Sequence, residues 1–208
     1  MSTAGKPTGF FGKLMARAMA RGHKDFYINT ARVLNLSQDD KYLEIGFGSG
    51  VFIEEYASIV AKVAGLDISE DMVNLAESIN AELVTSGKAE FRQGDVKSIP
   101  WDDNEFTAVC GIETFYFWPE PEASLKEIFR VLAPGGRVVI EMGFNKDDGV
   151  DHAKNVKRHG MRIYSSEEMK KLLDEAGFKN ISVEYYQAFK VPIKGYVVPK
   201  GMIVKAYK

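Results

Sequence analysis

Three glycines at alternate positions, Gly46, Gly48 and Gly50, stand between two acids, Glu44 just before them and Asp67 twenty-one positions after the first. Glycine lets a backbone approach a ligand more closely than any Cβ would permit. A helix that opens on such a turn aims unsatisfied N–H groups at whatever sits there. An acid at the end of the following strand can accept both ribose hydroxyls of an adenosine-bearing ligand. By spacing alone, the turn fits such a cofactor or a structural tight turn. A nicotinamide dinucleotide is disfavoured on two counts. Its fingerprint G-x-G-x-x-G meets Val51 at the third glycine. Glu44 also suits a cationic amino group better than a pyrophosphate.

The elements that would position these residues alternate. A helical stripe is expected over 10 to 21 (Phe10, Phe11, Leu14, Met15, Ala18, Met19) and a second helix over 24 to 35. Strands follow at 42–45, 63–67, 89–92, 106–111 and 137–142, with helices at 51–61, after Ser69 as a cap, and at 121–132. Pro134-Gly135-Gly136 reads as a stop before the strand at 137. Ser165-Ser166-Glu167-Glu168 is a capping box for a helix ending at Gly177. Two final strands, 180–189 and 197–207, have no helix between them. Strands alternating with helices imply an α/β, doubly wound, mostly parallel sheet, because parallel strands need helical crossovers. The last pair implies an antiparallel terminal strand. Residues 1–36 form an N-terminal helical extension or lid, and 37–208 the main domain.

Composition narrows the function. A net charge of -2 gives no overall basic field, so nucleic acid and anionic membrane are disfavoured partners. The single cysteine, Cys110, excludes an internal disulfide and a thiolate zinc cage, and no dedicated metal cluster is visible. No apolar run is long enough to span a bilayer, and the first residues lack a signal peptide's apolar core. The cytoplasm is the expected location. Oligomeric state is open.

In order, Glu44-Ile-Gly-Phe-Gly-Ser-Gly50, Gly65-Leu-Asp67-Ile-Ser69, Gly94-Asp95-Val96 with Ile99-Pro-Trp-Asp-Asp-Asn-Glu-Phe106, and Glu127-Ile-Phe-Arg130-Val-Leu-Ala-Pro134-Gly-Gly-Arg137 resemble the motifs of class I S-adenosylmethionine-dependent methyltransferases. The match is to the branch similar to the ubiquinone/menaquinone enzymes, type 11. The resemblance implies a Rossmann-like seven-stranded sheet, S-adenosylmethionine as cofactor, S-adenosylhomocysteine as product, and a small-molecule acceptor. It implies that Gly46, Gly48 and Gly50 line the methionine part, with Glu44 supporting its amino group. Asp67 would hold the ribose or, in the plainer reading, cap the next helix. Ile68 and Met72 would flank the adenine, Met72 being equally a core residue. Asp95 would bond the adenine amino group or act as a turn acid, with Val96 near the ring. Gly111 and Ile112 would face the methionine moiety.

Many relatives carry a histidine pair around 113–118, and here none is present. Glu113 and then Tyr116 are the catalytic candidates, set in the aromatic run Phe115 to Trp118, of which about half should face the core. The stretch from 144 to 164 carries Lys154, Lys157, Arg158 and Arg162, which could neutralise an acidic acceptor or form a solvated face. His23, His152 and His159 are expected to be exposed. A domain of this family that binds without transferring methyl is the alternative reading, and the acceptor itself is not legible.

Overall fold

In a computed structural model, residues 24–187 and 200–208 are described. The expected helix over 10 to 21, His23 and the linker between the last two strands lie outside them. Helix α1 (Lys24–Leu34) precedes β1 (Lys41–Ile45), α2 (Val51–Tyr56), β2 (Lys62–Asp67), α3 (Glu70–Ile79), α4 (Ala81–Thr85), β3 (Ala89–Gln93) and β4 (Phe106–Ile112). A 3-10 turn (Phe115–Phe117) leads to α5 (Pro121–Val131), β5 (Leu132–Met142), α6 (Ala153–His159), α7 (Ser166–Glu175), β6 (Lys179–Gln187) and β7 (Lys200–Tyr207).

The strands form one sheet in the order β3-β2-β1-β4-β5-β7-β6. The first five are parallel, and β7 runs antiparallel to β5 and β6. The antiparallel strand is therefore last in the chain but next to last in the sheet. Alternation along each strand divides the core. Leu43, Ile45, Val109 and Ile140 pack with Leu125 and Ile128 of α5 and Leu173 of α7. Tyr42, Cys110 and Val139 face the other way, toward Phe26 of α1, Phe52 of α2 and Ala76 of α3.

Two expected boundaries move, and one expected cap is not made. The helix from 51 stops at Tyr56, where Ala57 and Val60 are buried in a turn rather than on a helical face. Strand β5 begins at Leu132, pairing with Phe106 before a register shift, so Pro134-Gly135-Gly136 forms an irregularity inside the strand rather than a stop. Ser69 occupies the position before α3, but its side chain makes no cap bond. The capping box at Ser165 and Glu168 is formed in both directions. No helix of the described residues is long and apolar enough to cross a membrane.

Candidate functional site

Strand order reverses between β1 and β4, the switch point where an open α/β sheet leaves a crevice at its carboxyl edge. A cleft of about 450 Å³ lies there, walled by Ile45, Gly46, Asp67, Ile68, Asp95, Val96, Ile112 and Glu113 among others.

All three turn glycines have positive φ, which a side chain rarely tolerates. Their surroundings differ. A Cβ on Gly46 would collide with Thr114, and one on Gly50 would sit 2.8 Å from Cβ of Ala76 in α3. Only Gly48 has open space where its Cβ would be. The N–H groups are also used internally: Gly46 donates to Leu66 O (2.7 Å), Gly48 to Asp67 Oδ2 (2.9 Å) and Gly50 to Phe47 O (3.0 Å). The N–H groups expected from the sequence to be free are thus spent inside the protein, and of the three glycines only Gly46 lines the cleft. Asp67 explains both this and the idle Ser69. Its second oxygen accepts from Ser69 N at 2.9 Å, so one carboxylate ties the two turns together. Burial pushes the Asp67 carboxyl up, against the pull of these N–H donors.

Ile68 is 72% exposed and lines the cleft, an uncovered apolar side chain beside an open site. Asp95 accepts from Lys97 N at 3.1 Å, forming the turn expected in the plainer reading, and it also lines the cleft. Of the expected cofactor residues, Glu44, Gly48, Gly50, Met72 and Gly111 do not line it. Met72 packs on the α1–α3 side of the core, and Gly111 lies under Thr114 and Trp118.

Glu44 points to the opposite face of the sheet from Ile45. It is 3% exposed and its Oε2 has no hydrogen-bond partner. Burial lifts its carboxyl to about 8, opposed by a hydrogen bond from Tyr42 and reinforced by Asp67. Tyr42 also contacts Cys110 Sγ at 2.8 Å, and burial holds that thiol protonated. Cys110 is packing.

Glu113 follows β4 with a φ of 56°, a conformation unusual for a non-glycine residue and worth attention beside a cleft. Its Oε1 accepts from Tyr116 OH (2.7 Å) and from Gly143 N. Tyr116 OH in turn accepts from Phe144 N at 2.8 Å. Burial raises the Glu113 carboxyl and raises the Tyr116 phenol well above its ordinary range. Tyr116 is buried beneath Glu113 and does not line the cleft. Of the aromatic run, Phe115 and Trp118 are also buried, while Phe117 is exposed; Phe117 and Trp118 both reach the cleft wall.

One residue that the sequence reading passed over stands behind Glu113. Glu141 is fully buried in β5, bonded through Oε1 to Tyr186 OH, with Oε2 unpartnered. Burial and the Glu113 charge push its carboxyl well up. Its signal was available: an acid inside Val138-Val139-Ile140-Glu141-Met142 has no business in a buried strand without a partner. The histidines also need one correction. His152 is not exposed; its ring contacts Asp148 Oδ2 at 2.7 Å, both side chains sealed, and stacks edge-on with Phe144. Both partners belong to the 144–164 segment, so His152 ties that segment to itself. His159 and the cations Lys154, Lys157, Arg158 and Arg162 are exposed, and none lines the cleft.

Comparison with known proteins points one way. The family model described as a methyltransferase domain matches residues 43–140. The chain is 29% identical over 154 residues to the O-methyltransferase cnsE of Penicillium expansum, a match covering 72% of this chain and 56% of that protein. It is 35% identical over 127 residues to the sterol 24-C-methyltransferase ERG6B of Gibberella zeae, covering 61% and 32%. The match thus spans about half of one relative's length and a third of the other's. A solved geranyl diphosphate C-methyltransferase of Streptomyces coelicolor A3(2), in complex with Mg2+, geranyl diphosphate and S-adenosyl-L-homocysteine, shares the fold with a TM-score of 0.75 at 15% identity, over 98% of this chain and 86% of that one.

Proposed function

This chain belongs to the class I S-adenosylmethionine-dependent methyltransferases of type 11, and on that premise we propose that it moves a methyl group from S-adenosylmethionine to a small-molecule acceptor in the cleft beside Glu113. The carrying observation is the convergence on the cleft at the switch point of Asp67, an uncovered Ile68, Asp95 and Gly46. The unpartnered Oε2 of Glu44 fits the same cofactor, since a buried carboxylate oxygen without a donor suits a cationic amino group.

When bound, the cofactor supplies an electrophilic methyl on a sulfonium. The protein's residues do the rest. Asp67 accepts the ribose hydroxyls with the lone pairs that Gly48 and Ser69 leave open. Ile68 and Val96 flank the adenine, and Asp95 accepts from its amino group. Glu44 balances the amino group of the methionine part, with Gly46 and Ile112 giving it surface; Met72 and Gly111 contribute by packing. Glu113 takes a proton from the acceptor. Tyr116 is a positioning residue that fixes Oε1 of Glu113 and leaves Oε2 for a group in the cleft. Phe117 and Trp118 exclude water from the reacting atoms.

Calorimetric titration with S-adenosylmethionine and with NAD tests this reading. Binding of the first and not the second is expected, and the reverse result overturns it. Asp67→Ala should weaken S-adenosylmethionine binding by about 1–3 kcal/mol through lost ribose hydrogen bonds. Unchanged affinity would remove Asp67 from the site.

A further inference from the structure

Among the described residues, the cleft wall carries acids, aromatic rings and aliphatic side chains. Asp67, Asp95 and Glu113 belong to that wall, and no lysine or arginine of the described residues does. Asp67 and Asp95 belong to the side where β2 and β3 end. Glu113 stands apart from them, after β4, next to Phe117 and Trp118. Both described donors to Glu113 fall on Oε1, so Oε2 has no protein partner. Behind it, Glu141 adds a second buried acid with an unpartnered oxygen, and neither carboxylate forms an ion pair among the described residues. Lys154, Lys157, Arg158 and Arg162 are exposed away from the cleft, so among the described residues an anionic acceptor meets no counter-charge there.

We propose that the acceptor is an amine that enters as its ammonium ion, read by Oε2 of Glu113 and by the faces of Phe117 and Trp118. A carboxylate beside aromatic rings is the chemistry that recognises an ammonium carrying apolar substituents. An alcohol or carboxylate acceptor gains nothing from that charge. The inference rests on the methyl-transfer reading above and adds the class of acceptor to it. In the reaction, the ammonium gives one proton to Glu113. The freed nitrogen lone pair forms the nitrogen–carbon bond as the carbon–sulfur bond of the donor breaks. The electron pair of that bond stays on sulfur, leaving a neutral thioether. The product is the methylated ammonium and a protonated Glu113, which returns its proton to water, so total charge is conserved.

The test uses matched probes on the full chain saturated with S-adenosylhomocysteine. Benzylamine and 2-phenylethylamine are titrated against benzyl alcohol, 2-phenylethanol and phenylacetate. The amines should bind at least about tenfold tighter than the matched alcohols, a difference of ~1.4 kcal/mol. Glu113→Gln keeps an acceptor at Oε1 for Tyr116 and Gly143 but removes the charge, and it should bring the amines down to the alcohols' level. Phe117→Leu, at an exposed position where folding is not at stake, should weaken the amines several-fold and leave the alcohols within about twofold. Equal affinity for amines and alcohols, tighter binding of phenylacetate, or no amine binding overturns the proposal. If methyl transfer is then found to an alcohol, the methyltransferase reading stands without it. Failure to bind S-adenosylhomocysteine at all overturns that reading instead.

Discussion

Glu44 shows what one side chain's environment demands. Its carboxyl is nearly sealed from water, touched by Tyr42 and faced by Asp67, with no cation of the described residues beside it, and burial lifts its pKa to about 8. At pH 7 most molecules therefore carry it protonated. A cationic amino group placed against Oε2 favours the carboxylate and lowers that pKa, so binding expels the proton. Binding of S-adenosylmethionine at pH 7 should release close to ~1 proton, and at pH 9, where Glu44 is already ionised, far fewer. Calorimetry in two buffers of different ionisation enthalpy reads this number directly. In Glu44→Gln the release should vanish and the affinity should drop. Proton release that survives the substitution would assign the linkage to another acid, such as Glu113.

At the scale of elements, the glycine turn separates two needs that the sequence runs together. Gly50 is required by helix packing, since its φ is positive and a Cβ would press on Ala76 of α3. Gly50→Ala should lower stability by about 2–4 kcal/mol, combining backbone strain with overpacking. Gly48→Ala meets no neighbour and should cost only about 1–2 kcal/mol, the strain of a left-handed alanine. Urea unfolding of both variants without cofactor checks the order, and a reversed order would mean that the packing of α2 on α3 is not what fixes the turn. Ser165→Ala should cost about 1 kcal/mol by deleting the cap of α7, visible in the same assay. These cases also show what could be read in advance. Periodicity and caps placed α1, α5, α7 and the described strands other than β5 to within a few residues, because those signals are local. The early start of β5 depends on a partner far along the chain, Phe106 of β4, whereas His152 is sealed by Asp148 and Phe144 nearby, a contact that periodicity does not signal. The idle cap at Ser69 depends on a distant residue too, since Asp67 had to turn back toward Gly48 first. Glu113 was legible as the acid nearest the acceptor region. Its conformation and its link through Tyr116 to Phe144 were not, because they arise where β4 and β5 end side by side.

Across the whole molecule, acids of two opposite kinds sit on the sheet. At the amino edge of the strands, Asp40 receives Arg137 through both oxygens (3.0 and 2.8 Å), together with Thr107 OH (2.6 Å) and Ser37 N (2.7 Å). Arg137 also reaches the carbonyls of Leu34 and Asn35, which ties the end of α1 to β1, β4 and β5. Burial works against the Asp40 carboxylate, but Arg137 and the hydrogen bonds hold its carboxyl well below the usual range. Its contribution is present above the unfolded value near 4 and is lost as pH falls through the lower folded value. At the carboxyl edge, Glu44, Glu113 and Glu141 are shifted upward. Each binds its proton more tightly folded than unfolded, so stability falls as pH rises above the unfolded value near 4.5, for Glu44 until about 8. The two sets together place maximum stability of the cofactor-free protein in mildly acidic solution, with a loss on the order of a few kcal/mol by pH 8. Urea midpoints between pH 4 and 9 should trace that decline, and Glu44→Gln should flatten it. Saturating S-adenosylmethionine should move the maximum toward neutral pH, because the charge that destabilises the empty site is the one the cofactor's amino group meets. A maximum that stays in place with cofactor bound would mean that the carboxylates at this edge answer to something other than the ligand.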